Sequence, residues 1–150
     1  MTPGLVDLKI VADRASAVRT CVDLLRAKAQ LSDEEFQAHP DHAAATESYL
    51  RRSLEALCDI GRHLLAKGFA EAASEYAEVA IKCGNRGLLT PDRANLFRRM
   101  VGYRNRLVHR YAEITPGELH RISQSHLQDL LDVLADLEHA ARRLSAPNSS

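Results

Sequence analysis

The chain has 150 residues, one domain's worth, and enough to bury a single core without disulfide or metal staples. Hydrophobic residues make up 45% and charged residues 27%; Trp is absent and Leu and Ala abound, which is ordinary for a soluble globular protein and favours helices over sheets. Twenty basic residues balance twenty acidic ones, so no global field draws in nucleic acid, and any such binding must rest on a local patch.

From Val6 to about Gln30, apolar Leu8, Val11, Ala15, Val18, Val22, Leu25 and Ala29 recur at three- and four-residue steps and predict an amphipathic helix. Ser32-Asp33-Glu34-Glu35 has the form of a capping box and starts a short helical turn ending near Pro40. Asp41 is the expected cap of a long helix to about Lys67, with Leu50, Leu54, Leu57, Gly61 and Leu64 on its buried side and Gly68 as its stop. Ser74 is expected to open a shorter helix that buries Tyr76, Val79, Ala80 and Cys83 and ends at Gly84, where Gly84-Asn85-Arg86-Gly87 forms a turn. Thr90-Pro91 opens a helix to about Tyr111, because Thr caps well and Pro fits a first helical position that needs no N–H. Thr115-Pro116-Gly117-Glu118 is a further capping box, launching one last helix with Leu119, Ile122, Leu130, Val133, Leu134 and Leu137 as its stripe. A tail from about residue 145, with Ala146-Pro147-Asn148-Ser149-Ser150, is expected to fray. No segment alternates with period two long enough to be a strand. The expected architecture is one all-α domain over residues 1–150, an up-and-down antiparallel helical bundle.

Three well-separated cysteines, Cys21, Cys58 and Cys83, fall in predicted helices and read as reduced small hydrophobes, not a disulfide framework or a metal site. His39, His42, His120 and His139 have no metal-ligand spacing with Cys or carboxylates. Without a basic–apolar leader or an apolar run of roughly 18 residues, a cytoplasmic location is expected.

The helix opened by Thr90 carries the chemistry. On a wheel of about 100° per residue, Leu96, Phe97, Met100, Val101, Tyr103, Leu107, Val108 and Tyr111 share one apolar arc, and Arg104 projects from its middle. A guanidinium aimed at a core is costly unless paired, so Arg104 must find a partner. Asn105 and His109 stack one turn apart at the polar edge, with Arg98, Arg99, Arg106 and Arg110 along the remaining side. Those four read either as phosphate-binding groups or as a solvated face. Gly102 lies inside the helix at a cost of about 1 kcal/mol relative to Ala, which signals close packing against another helix or a substrate, or mere tolerance. Asp59 and His63, four apart, read as a surface or interface contact. An R-x4-H spacing also occurs at Arg121 and His126, but there the histidine falls among Leu119, Ile122, Leu130 and Leu137 and is expected to be packed and satisfied.

Arg104 to Tyr111 spells R-N-x-L-V-H-x-Y, which resembles the signature of HepT-type toxins in the HEPN ribonuclease superfamily. Tyr76 through Val79, Gly84, Gly87-Leu88-Leu89 and Tyr111-x-x-Ile114 resemble that family in order and spacing, as does Leu57-Cys58-Asp59-Ile60-Gly61-Arg62-His63-Leu64. The similarity spans roughly Leu5 to Leu137. It implies a symmetric homodimer with both motifs facing a shared cleft, and metal-independent RNA cleavage by 2′-OH attack, with catalytic roles for Arg104 and His109 and support from Asn105. It also implies a minimal nucleotidyltransferase antitoxin of MntA type that transfers AMP from ATP to the motif tyrosine, Tyr111, and silences the toxin.

The side chains suit that chemistry in their own right. Histidine moves protons near neutral pH, and the arginine fork binds two phosphate oxygens while staying charged. Five positions apart, Arg104 and His109 sit about 140° apart on an ideal helix. They meet on one phosphate if the helix end distorts, or if a second protomer supplies one of them. Two functions stay open on sequence: a metal-independent endoribonuclease toxin acting on mRNA or tRNA without a cofactor, and a non-catalytic helical subunit partnering a nucleotidyltransferase.

Overall fold

The computed structural model describes residues 4–146. Seven α-helices follow in order: α1 (Leu8–Ala29), α2 (Asp33–Ala38), α3 (Pro40–Phe69), α4 (Tyr76–Asn85), α5 (Pro91–His109), α6 (Pro116–Ser125) and α7 (Leu127–Ser145), with a 3-10 turn at Tyr111–Glu113. No strand occurs among the described residues, as the periodicity predicts. α3 is the central element, in contact with every other helix. It seats Leu57, Ile60, Leu64 and Leu65 against Val18 and Leu25 of α1, Phe97 of α5 and Leu137 of α7, all essentially without solvent exposure.

Local signals placed three of the seven helix starts among the described residues. Ser32 and Glu35 complete the capping box in both directions at the start of α2. Thr90 accepts from the Arg93 N–H, and Pro91 takes the first position of α5. Thr115 caps α6 by accepting from the Glu118 N–H, while the Glu118 carboxylate turns instead to Tyr103 and Arg106.

Several boundaries differ from the sequence expectation. α3 begins at Pro40 with His39, not Asp41, in the cap position, and passes Gly68 to end where Ala70 turns left-handed (φ 51°) and its N–H returns to the Ala66 carbonyl. α4 starts at Tyr76 instead of Ser74, whose backbone and hydroxyl donate to the Glu78 carboxylate. α4 passes Gly84 to Asn85, and the turn that follows is made at Gly87, with φ 70°. α5 stops at His109, which leaves Tyr111 in the 3-10 turn and exposed; Val108 and, on α1, Leu8 are exposed too. The expected last helix is two, because the chain breaks at His126. His126 is therefore not packed: its side chain is 61% exposed beside Asp129. The packed, satisfied histidine is His120, 2% exposed, stacked on Phe36 at 4.4 Å and bonded to Asp33 at 2.9 Å. Asp59 and His63 do not pair with each other: Asp59 meets Arg14 of α1, and His63 accepts the Asp7 N–H. The tail from Pro147 onward lies outside the described residues.

All three cysteines are free and buried, and burial pushes the thiols of Cys58 and Cys83 up to about 12, so they pack as neutral apolar groups.

The approach of α4 to α3 is set at Gly61, where an added Cβ would lie 2.7 Å from Val79 Cγ1 and 3.2 Å from Cys83 Sγ. Around Gly102, by contrast, an added Cβ meets nothing within 4 Å, so no close packing within the chain requires that glycine. Gly61→Ala is therefore expected to lower folding stability by about 1–3 kcal/mol. Gly102→Ala is expected to raise it by about 0.5–1 kcal/mol through backbone entropy. Urea denaturation of the two variants beside the parent protein reads both signs.

Candidate active site

One cavity of about 570 Å³ gathers the motif residues: Arg104, Asn105 and His109 of α5 line it together with Arg62 of α3, Tyr76 and Ala77 of α4, and Ser74 and Glu75 just before α4. Helix geometry alone puts Arg104 and His109 on different faces of α5. Here both reach the same space, because α4 closes over the flank between them and α5 ends at His109, where Arg110 leaves helical geometry (φ −132°, ψ 34°).

Arg104 is the sequestered group its position in the apolar arc demands, with its side chain 18% exposed. Its partners come from three elements. Nη1 donates to Asn105 Oδ1 at 3.3 Å, Nη2 donates to Glu55 Oε1 on α3 at 3.4 Å, and the guanidinium carbon lies 4.5 Å from the centre of the Tyr76 ring. Both hydrogen bonds are long for charged partners. Glu55 is shared with Arg51 at 3.6 Å, and the buried Nε–H of Arg104 has no acceptor among the described residues. The aromatic face thus holds the cation in place without using up its donors. Burial, reinforced by Glu55 and Asp59, raises the Tyr76 phenol above its ordinary range, which keeps it protonated.

His109 is exposed at the C-terminal end of α5, and among the described residues neither ring nitrogen bonds to protein. Asn105, one turn earlier, stands between His109 and Arg104 and bonds the latter.

The four other arginines do not gather with them. Arg98 and Arg99 line a separate shallow depression with Asp92 and Asn95. Arg106 is held by the Glu118 carboxylate at 3.1 and 3.4 Å and stands over the Tyr103 ring. Arg110 is exposed at the end of α5. Tyr111, 49% exposed, follows directly in the 3-10 turn, outside the cavity lining. Sequence reasoning missed Glu55, Arg62 and Tyr76 as site residues. The only signal was indirect, since the position of Arg104 demands a partner without naming one.

The profile of the family described as Ribonuclease HepT-like matches residues 18–137 of the chain. A relative named tRNA nuclease HepT, from Aphanizomenon flos-aquae, is 28% identical over 110 residues, 73% of this chain and 75% of its own. The fold is similar to that of the tri-AMPylated HEPN toxin of Shewanella oneidensis, solved in complex with an MNT antitoxin, with TM-score 0.77 and 19% identity over 87% of this chain and 97% of that one. It is also similar to YutE, a cytosolic protein of unknown function from Bacillus subtilis, with TM-score 0.75 and 17% identity over 98% and 99% of the two chains.

If Arg104 served the fold, its removal would destabilise the protein. A half-satisfied cation in a partly buried place predicts the opposite. Arg104→Met is expected to leave folding stability unchanged or to raise it by up to about 1 kcal/mol, read as the midpoint of thermal or denaturant unfolding.

Proposed function

Because the chain belongs to the family of HepT-like ribonucleases, we propose that it is the toxin half of a type VII-like toxin–antitoxin pair, an endoribonuclease that cleaves tRNA or mRNA without a metal ion. The observation that carries this proposal is a partly buried Arg104 with unfilled donors, in one cavity with Asn105 and His109.

His109 takes the proton of a ribose 2′-OH, and the 2′-oxygen attacks the adjacent phosphorus. The 5′-oxygen leaves with a proton, and a 2′,3′-cyclic phosphate remains. Arg104 neutralises charge building on the non-bridging oxygens, and Asn105 keeps that guanidinium beside the imidazole. Entering and leaving oxygens lie on opposite sides of an in-line phosphorus, so one imidazole cannot serve both. A symmetric homodimer, presenting a second His109 across a shared cleft, supplies the other proton relay. The relative named as a tRNA nuclease favours tRNA as the substrate class.

Silencing follows from Tyr111. Its exposure, next to Arg110 and two residues beyond His109, suits an acceptor for a nucleotidyltransferase antitoxin of MntA type. The phenolic oxygen attacks the α-phosphorus of ATP, pyrophosphate leaves, and the adenylate places negative phosphate beside the site, where it repels RNA. The AMPylated state and the MNT partner of the Shewanella oneidensis toxin support this regulation.

Purified protein incubated with tRNA and total RNA in EDTA is expected to leave 2′,3′-cyclic phosphate ends. His109→Ala and Arg104→Ala should each lose about 10²–10⁴-fold in rate. Absence of cleavage by protein whose mass shows no added AMP would instead favour the non-catalytic subunit of a nucleotidyltransferase complex. With the antitoxin and ATP, the parent protein should gain the mass of AMP and stop cleaving, whereas Tyr111→Phe should gain none and go on cleaving.

A further inference from the structure

We propose that Arg62 is a second phosphate-binding residue of this cavity, seating the RNA phosphodiester next to the one that Arg104 grips. The proposal rests on the cavity being an RNA-cleaving site.

Arg62 lies one residue beyond Gly61 on α3 and lines the cavity with Arg104, Asn105 and His109. Its Nε–H donates to the Ala73 carbonyl at 2.9 Å, which ties it to the connection between α3 and α4. Its guanidinium carbon lies 5.1 Å from the centre of the Tyr76 ring, the same ring that holds Arg104. Two cations therefore share one aromatic side chain.

Among the arginines that meet no carboxylate in the described residues, Arg62 is set apart by lining this cavity. Arg14, Arg51, Arg86, Arg93 and Arg106 each meet an acidic side chain. Asp59, one turn before Arg62, is spent on Arg14, and Glu55 is divided between Arg51 and Arg104. Exposed Glu75 lines the cavity but comes within ion-pairing distance of no cation among the described residues. Neither Nη group of Arg62 has a protein acceptor among the described residues.

Two guanidiniums held close by a ring and a carbonyl repel each other unless an anion comes between them. A ring face and a carbonyl fix position without neutralising charge, so the Nη groups of Arg62 and the unused N–H groups of Arg104 stay ready for phosphate oxygens. Arg104 is tied through Asn105 to the side where His109 stands, which is the side of the scissile phosphate. Arg62 is tied to the side of α3, where the neighbouring phosphate of the same strand would lie.

Steady-state cleavage of a single-stranded RNA by the full chain tests this, together with binding of the same RNA across a salt series in a His109→Ala background. Arg62→Gln, which still offers a donor to the Ala73 carbonyl, is expected to raise KM and Kd roughly tenfold. The loss should fall on KM rather than kcat, and the slope of log K against log salt should flatten by about 0.7. Arg62→Lys keeps the charge without the fork, and should restore the slope and part of the affinity. Unchanged Kd and slope in Arg62→Gln, with cleavage still abolished by Arg104→Ala, would overturn the role of Arg62 alone, as would an Arg62→Lys variant that recovers neither. Full cleavage by Arg104→Ala would remove the catalytic site itself.

Discussion

The structure turns on a charge held by an aromatic face. Arg104 sits in the middle of an otherwise apolar arc, where solvent reaches it only in part and its hydrogen bonds are long. The Tyr76 ring makes that position tolerable. The ring must be brought there by α4, and α4 can come that close to α3 only because residue 61 has no side chain. Glu55 completes the set from α3, one carboxylate shared between two arginines. Three helices therefore cooperate to leave one guanidinium held in place and incompletely satisfied.

Net charge explains why such an arrangement is needed. With equal numbers of acids and bases, the chain has no long-range pull on a polyanion. Half of its sixteen arginines meet carboxylates among the described residues, several of them from one helix to another, such as Arg93 with Asp132 and Asp136, and Arg106 with Glu118. What the cavity offers an anion is local: Arg104, and beside it Arg62, both on Tyr76. A site of this kind relies on donors fixed in advance instead of on accumulated positive potential.

The helices were legible because their signals are local. Capping at Ser32, Thr90 and Thr115 and the three-to-four spacing of Leu50, Leu54, Leu57 and Leu64 need no knowledge of the rest of the chain. Ends and breaks were harder. His126 lies on an unbroken apolar period, yet the helix parts there and puts its ring in solvent, while the buried role went to His120, whose partner Asp33 lies 87 positions away. Arg104, Asn105 and His109 were legible as a set, because spacing on one helix suffices to relate them. Tyr76 and Glu55 were not, since only the packing of α4 and α3 against α5 assigns them to Arg104. Tyr111 was misplaced by a single turn of helix that does not form.

The central claim is that Arg104 is held with its donors incompletely filled, so that a phosphodiester can complete the set. Side-chain NMR of arginine Nε–H groups, titrated with a short RNA blocked by 2′-O-methylation, tests this directly. The Nε–H resonance of Arg104 should shift on binding to an extent set by occupancy, and the shift should vanish in Tyr76→Leu even at saturating RNA. RNA that binds and moves the resonances of Arg98, Arg99 or Arg110 while leaving Arg104 where it was would contradict the account.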